Sequence, residues 1–198
     1  MIHDDKVILT DCDGVLLNWQ YAFDCWMEEK GYEKTIKHNR HYHVTDQYNL
    51  TILESKKLVR YFQESACIGF LPAHRDAIHY VKLINEKLGY RFTVITSLSK
   101  NQYAQKLRKQ NLRKLFGEYT FKDFIFLDTG EDKTEALEQY KDSQMYWIED
   151  KAENATIGHK LGLSPMLMEH GYNMNDIHPF PIVKDWKDIY DRISLWQG

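Results

Sequence analysis

The sequence predicts an α/β protein, a doubly wound and mostly parallel sheet with a small helical cap inserted after the first strand. Short apolar runs with little alternation recur along the chain, as expected for strands covered on both faces. Between the later runs, apolar residues repeat every three or four positions, the period of a helix packed on a sheet. After the first run the rhythm breaks. The interval from Val15 to Arg91 is far longer than one crossover helix needs, and part of it has helical periodicity of its own.

In chain order, Val7–Thr10 reads as the first buried strand and ends in Asp11, Cys12, Asp13 and Gly14. Asn18–Lys30 follows as a helix, with Trp19, Ala22, Phe23 and Trp26 on one side, and Thr51–Ser65 as a second, with Leu58, Val59 and Phe62 inside. Between them runs the polar segment from Lys37 to Asn49. These stretches form the expected cap, residues 18–69, leaving 1–17 and 70–198 as the core. His74–Leu88 places Ala77, Val81, Ile84 and Leu88 on one face, and Gly89 offers a stop. Further strands are expected at Phe92–Thr96, Phe124–Leu127, Met145–Ile148 and Pro165–Met168. Trp186, Ile189, Tyr190 and Ile193 mark a last helix.

Composition narrows the function. The chain has 198 residues, 43% hydrophobic and 28% charged, in the range of ordinary globular domains. A net charge of −3 supplies no general attraction to nucleic acid or anionic membrane. No apolar run approaches membrane-spanning length and the first residues are polar, so neither a membrane partner nor a signal peptide is expected. Cys12, Cys25 and Cys67 form no paired framework and read as reduced thiols of a cytoplasmic protein.

The chemistry concentrates at predicted strand ends, where ligands of such sheets bind. Asp11 and Asp13 repel one another, and such a pair persists when a cation or a shared proton offsets it. With Gly14 allowing a sharp turn beneath them, they suit a nucleophile, an acid/base partner and Mg²⁺ in one place. Thr96 and Ser97 offer a hydroxyl and backbone N–H groups to a phosphate oxygen, although Ser97 or Ser99 serves equally as a helix cap. Lys133 suits the neutralisation of a transferring phosphoryl group, or a solvated surface. Glu149 and Asp150 form another acidic pair, either metal ligands or the start of a helix.

Acid pair, hydroxyl, lysine and acid pair, in this order, resemble the four motifs of the haloacid dehalogenase superfamily of phosphotransferases, over nearly the whole chain. Asp-x-Asp-Gly-Val at Asp11–Val15 is the most specific part. The resemblance implies that Asp11 is the nucleophile, forming an aspartyl-phosphate, and that Asp13 protonates the leaving oxygen and then activates water. It implies that Thr96 and Lys133 hold the phosphoryl group, and that Asp11, the main-chain carbonyl of Asp13 and Asp150 bind Mg²⁺. A carboxylate two residues past the nucleophile argues against a true dehalogenase. The last motif departs from the usual pattern, with Asn154 where many relatives carry a second acid and Glu149 as a further candidate ligand.

Asp11–Trp19, the helical insertion, Gly69–Pro72 and Ile95–Ser97 resemble the 5′-nucleotidase branch, including deoxyribonucleotidases. That implies a small phosphorylated substrate, a nucleoside 5′-monophosphate or similar ester, with Ser97, Trp19, Phe23 and Phe70 as substrate contacts. The aromatics near the cap junction, Tyr42 and Tyr48 among them, suit base stacking or, more simply, a cap core. His38, His41 and His43 read as part of a polar loop rather than a transition-metal site. The basic run Lys106–Lys114 reads as the solvated face of a helix with Leu107 and Leu112 inward, so nucleic acid is not the expected partner. The alternatives are a nucleic-acid end phosphatase and a non-catalytic binding protein of the same fold.

Overall fold

The computed structural model describes residues 6–35, 40–174 and 177–195. Strand β1 (Val7–Thr10) is followed by helices α1 (Trp19–Glu29), α2 (Val44–Tyr48) and α3 (Ile52–Gln63), and by a 3₁₀ turn at Ala66–Gly69. Helices and strands then alternate: α4 (Ala77–Leu88), β2 (Arg91–Ser97), α5 (Gln102–Phe116), β3 (Phe121–Leu127), α6 (Thr134–Glu138), β4 (Tyr146–Glu149), α7 (Ala152–Lys160) and β5 (Ser164–Met168). A short β6 (Ile182–Val183) and α8 (Trp186–Leu195) complete the described elements. No helix among them is long and apolar enough to cross a membrane.

The strands form one six-stranded sheet in the order β3-β2-β1-β4-β5-β6, with every pairing parallel. The chain builds outward from β1 to β3, then returns to lay β4 against the other side of β1. The reversal between β1 and β4 is the switch point at which open α/β sheets bind ligands. Both sheet faces are covered. Ile8, Phe92, Val94 and Ile148 pack with Val81 and Ile84 of α4, Leu112 and Phe116 of α5, and Trp186 and Ile189 of α8. Leu9, Ile95 and Trp147 pack on the opposite face with Ala136 and Leu137 of α6. This two-sided burial explains why the strands read as apolar runs without alternation. Gly158 lets α7 lie directly on β4, because a Cβ there would come within 2.6 Å of the Trp147 ring.

β6 lies outside the sequence expectations, and two residues are too few to show a period. Helix α4 starts at Ala77 rather than His74, since Arg75 has a positive φ of 46° that no helix accommodates.

Helices α1 and α3 share an aromatic cluster. Trp19 stacks on Phe23 at 4.6 Å between centroids, and Phe62 meets Phe23 and Trp26 edge-on at 5.3 and 5.6 Å. A capping box between Thr51 and Glu54 sets the start of α3. The segments entering and leaving these helices pair with each other: Asn18 N donates to Pro72 O at 2.9 Å and His74 N to Leu16 O at 2.8 Å. The two connections leave the core side by side, directly after the loop that follows β1.

Candidate active site

The loop after β1 folds back tightly, with the amides of Leu16 and Leu17 both donating to Cys12 O at 2.8 and 2.9 Å. Gly14 makes the bend with φ of +80°. The bend also brings the backbone against the end of β4, since a Cβ on Gly14 would lie 2.3 Å from Asp150 Oδ2. Glycine is required here both for its dihedral and for its missing side chain. Gly14→Ala is expected to push the Asp150 carboxylate aside and to lower the melting temperature by roughly 5 °C or more, since alanine is strained at this φ and its Cβ would meet Asp150. Thermal melts of wild type and variant check this.

Asp11 lies one residue beyond β1, and its amide continues the ladder by donating to Ile148 O at 2.8 Å. Its Oδ1 accepts from the Cys12 amide at 2.6 Å, and its Oδ2 lies 2.9 Å from Lys133 Nζ. The ammonium also reaches Glu149 Oε2 at 2.8 Å and sits over the Trp147 ring at 5.2 Å. Lys133 is therefore not on a solvated surface; at 2% exposure it is clasped between two carboxylates. Burial opposes its charge, but Asp11 and Glu149 prevail and hold its pKa above the usual lysine value. Glu149 accepts from the amides of Asp150 and Lys151 through Oε1, both at 3.0 Å. With both oxygens occupied, it orients the lysine and the start of α7.

Asp150 accepts a hydrogen bond from the Tyr172 hydroxyl, and its main-chain carbonyl accepts from Asn173 Nδ2 at 2.8 Å. Asp11, Glu149 and Asp150 can each offer an oxygen within 4.8 Å of the others, and all three are buried. One buried ammonium cannot offset three buried carboxylates. Burial, opposed by Lys133 and reinforced by Glu149, pushes the Asp11 pKa up to about 7. Burial and the Asp11 charge push Asp150 up to about 6. A compact, oxygen-only donor set with excess negative charge suits a hard divalent cation such as Mg²⁺.

The remaining expected residues are distributed differently. Asp13 turns its carboxylate to Arg108, whose Nη1 contacts Oδ1 and whose Nη2 lies 3.3 Å from Oδ2. Thr96 is buried near the end of β2, two residues beyond the Val94 that pairs with Thr10, and so level with the loop after β1. Ser97 donates from its hydroxyl to Glu131 O at 3.3 Å. Neither Ser97 nor Ser99 caps α5; Asn101 does, accepting from the amides of Tyr103 and Ala104. Phe23 is wholly enclosed in the aromatic cluster, as a core residue. Trp19 stacks against it with its indole N–H buried and without a partner among the described residues, while Phe70 is 74% exposed. Asn154 contributes its main-chain carbonyl to Trp147 Nε1 at 3.3 Å. His38 lies outside the described residues; His41 Nδ1 faces Asp46 at 3.8 Å, and His43 precedes α2.

One reading is corrected. The basic run of α5 is not uniformly solvated, because Arg108 has no exposed surface at all. Sequence periodicity had a signal for it: Arg108 shares the helical face of Ala104 and Leu112. His170, Tyr172 and Asn173 were also missed. They follow β5 and lie in no periodic element, yet His170 Nε2 contacts Gly14 O at 2.8 Å, and its ring stacks on Tyr172. A cavity of ≈ 260 Å³ opens beside them, lined by Tyr42, His43, Lys151, Tyr172 and Asn173 among others.

No family model matches the sequence. An uncharacterised 32.4 kDa protein from the Gp30–rIII intergenic region of Enterobacteria phage T4 is 23% identical over 194 residues, covering 94% of this chain and 69% of the phage protein. A haloacid dehalogenase-like family hydrolase from Streptococcus pneumoniae superposes with a TM-score of 0.67 at 14% identity, over 95% of this chain and 98% of its own. This chain has the haloacid dehalogenase fold. A D,D-heptose 1,7-bisphosphate phosphatase from B. bronchiseptica shares that fold at a TM-score of 0.55 and 9% identity, over 98% of this chain and 99% of its own, and was crystallised with magnesium and phosphate. In haloacid dehalogenase-fold terms, the buried acidic cluster here sits at the sheet's switch point.

Proposed function

We propose that the protein is a Mg²⁺-dependent phosphomonoester hydrolase acting through an aspartyl-phosphate on Asp11, on nucleoside 5′-monophosphates or similar small esters. The observation that carries this reading is the cluster of Asp11, Lys133, Glu149 and Asp150 at the β1/β4 switch point. Asp11, Asp150 and the Asp13 carbonyl would hold the metal. Bound there, Mg²⁺ would supply positive charge against the phosphoryl oxygens and keep Asp11 ionised. The magnesium and phosphate of the heptose bisphosphatase support the choice of ion and of substrate class.

Lys133 opposes the repulsion between the Asp11 carboxylate and an incoming phosphate dianion. An Asp11 oxygen attacks phosphorus, the bond to the leaving oxygen breaks, and Asp13 gives that oxygen its proton. Water then attacks the phosphoryl group as Asp13 takes a proton from it, and Asp11 departs as a carboxylate. Thr96 and Ser97 would hold phosphoryl oxygens from β2. In this reading residues 18–69 are the cap, hinged on the paired connections at Leu16–Asn18 and Pro72–His74, and they shield the site from water. Trp19 and Phe70 flank the cap junction as substrate contacts. The free thiols of Cys12, Cys25 and Cys67 fit a cytoplasmic enzyme.

Phosphate release from ribo- and deoxynucleoside monophosphates, sugar phosphates, p-nitrophenyl phosphate and a 3′-phosphorylated oligonucleotide tests the proposal. Release from the nucleoside monophosphates, stopped by EDTA and restored by excess Mg²⁺, is expected. Hydrolysis that persists in EDTA contradicts the metal role, and release mainly from the oligonucleotide replaces the nucleotide reading with end-processing.

A further inference from the structure

We propose that Arg108 is a positioning residue for Asp13, fixing its carboxylate for proton transfer from beneath the site without touching substrate; this rests on the phosphoryl-transfer reading above. Arg108 lies on the inner face of α5 with Ala104, Asn111 and Leu112, and is wholly buried. A guanidinium stays charged under all working conditions and is seldom fully buried unless paired. Here both terminal nitrogens go to Asp13, Nη1 additionally lies 2.9 Å from Cys12 Sγ, and Nε has no partner among the described residues. Among the described residues its polar contacts thus serve residues 12 and 13 alone.

Two-point contact from a planar fork sets the plane of a carboxylate as well as its place. Both Asp13 oxygens are held from inside, yet its side chain keeps 22% exposure while that of Arg108 has none, which leaves the oxygens' remaining lone pairs to the open side. Stability is a poor reason for such a pair, because packed apolar side chains serve a core as well as a buried ion pair does. The support is itself anchored. Asn111 Nδ2 donates to Leu71 O at 3.0 Å, and Gly69 lies so close to Leu107 that a Cβ there would meet it at 3.3 Å. Helix α5 thereby grips the segment returning from the inserted helices with Asn111 and Leu107, and Asp13 with Arg108. In the reaction Arg108 neither gives nor takes a proton. It holds the group that donates one to the leaving oxygen and later accepts one from water.

The test compares leaving groups. p-Nitrophenolate departs with little need of a proton, whereas the alkoxide of a nucleoside 5′-monophosphate needs one. Arg108→Lys and Arg108→Met are expected to lower kcat/KM, which reads the leaving-group step and not the later hydrolysis common to every ester, about 100-fold on the nucleotide and less than about tenfold on p-nitrophenyl phosphate. Arg108→Met added to Asp13→Asn is expected to cost little more than Asp13→Asn alone, as for residues acting as one unit. Equal loss on both esters, unchanged rates in Arg108→Lys, or full additivity in the double variant overturns the inference. If Arg108→Met does not fold, Arg108→Lys, which keeps the cation but not the fork, decides alone. An inactive wild type across all esters removes the phosphoryl-transfer reading and this inference with it. An active wild type whose leaving-group preference survives in Arg108→Lys removes only this inference.

Discussion

Asp11→Asn is expected to lower phosphate release by at least about 10⁴-fold while leaving the circular dichroism spectrum unchanged. An amide has nearly the shape of the carboxylate and can still accept from the Cys12 amide, and Lys133 keeps Glu149 as its partner at 2.8 Å. The fold therefore loses little, whereas the attacking oxygen loses its charge and its nucleophilicity. The covalent step has its own readout. Wild type quenched during turnover of ³²P-labelled substrate should carry label that hydroxylamine removes, as an acyl phosphate must, and Asp11→Asn should carry none. Retained turnover in Asp11→Asn, or label of equal amount, removes Asp11 as the nucleophile.

Lys133→Met is expected to damage both activity and stability. Removing the lysine leaves the Asp11, Glu149 and Asp150 carboxylates buried together without an opposing charge. Breaking a buried pair from one side costs about 3–5 kcal/mol, or roughly 10 °C in melting temperature for a chain of this size. Activity should fall by at least about 10³-fold, as when a preorganised electrostatic group is lost. The sign of the pH dependence follows from the carboxylates. Burial holds Asp11 at about 7 and Asp150 at about 6, above the roughly 3.9 of an unfolded chain. Between those values the folded state binds more protons than the unfolded state, so these groups favour folding at low pH and that contribution is lost as pH rises through 6 and 7. Metal-free wild type should therefore lose melting temperature between pH 5.5 and 8, and Lys133→Met should lose more over the same interval. Mg²⁺ should restore more at pH 8 than at pH 5.5, because protons compete for the same oxygens. Thermal melts at the two pH values, with and without Mg²⁺, check all three statements; a Lys133→Met protein as stable as wild type at pH 8 contradicts the proposed charge balance.

The sheet was legible because its central strands are buried on both faces. Ile8 and Leu9, adjacent in sequence, point into opposite apolar layers, so β1 must be apolar throughout. The residues at strand ends were legible for a related reason: Asp11 and the Glu149–Asp150 pair are acids set directly after apolar runs, where no packing role explains them. Lys133 was ambiguous, since a lysine among acids looks the same on a surface as in a buried cluster, and only the distances to Asp11 and Glu149 separate the two. Arg108 was misread because a helix with many charges suggests a solvated face, and the one charge turned inward is recognisable only beside its partner. Tyr172 and Asn173 hold Asp150 from an irregular segment after β5, where no period marks which side chains turn inward.

The order of the strands has a consequence for how such a site persists. Thr96, Asp11 and the Glu149–Asp150 pair stand at the ends of β2, β1 and β4, three neighbours in one sheet. Adjacent strands lie about 4.8 Å apart whatever their side chains, because main-chain hydrogen bonds set that spacing. The sheet thus acts as a ruler, and the separation between the acidic ends is laid down by backbone that every sequence shares. Core residues and surface helices can be exchanged for others of matching volume without changing the gauge. The same gauge can therefore be held by chains that share little sequence, as the 14% identity to the streptococcal hydrolase of the same fold illustrates.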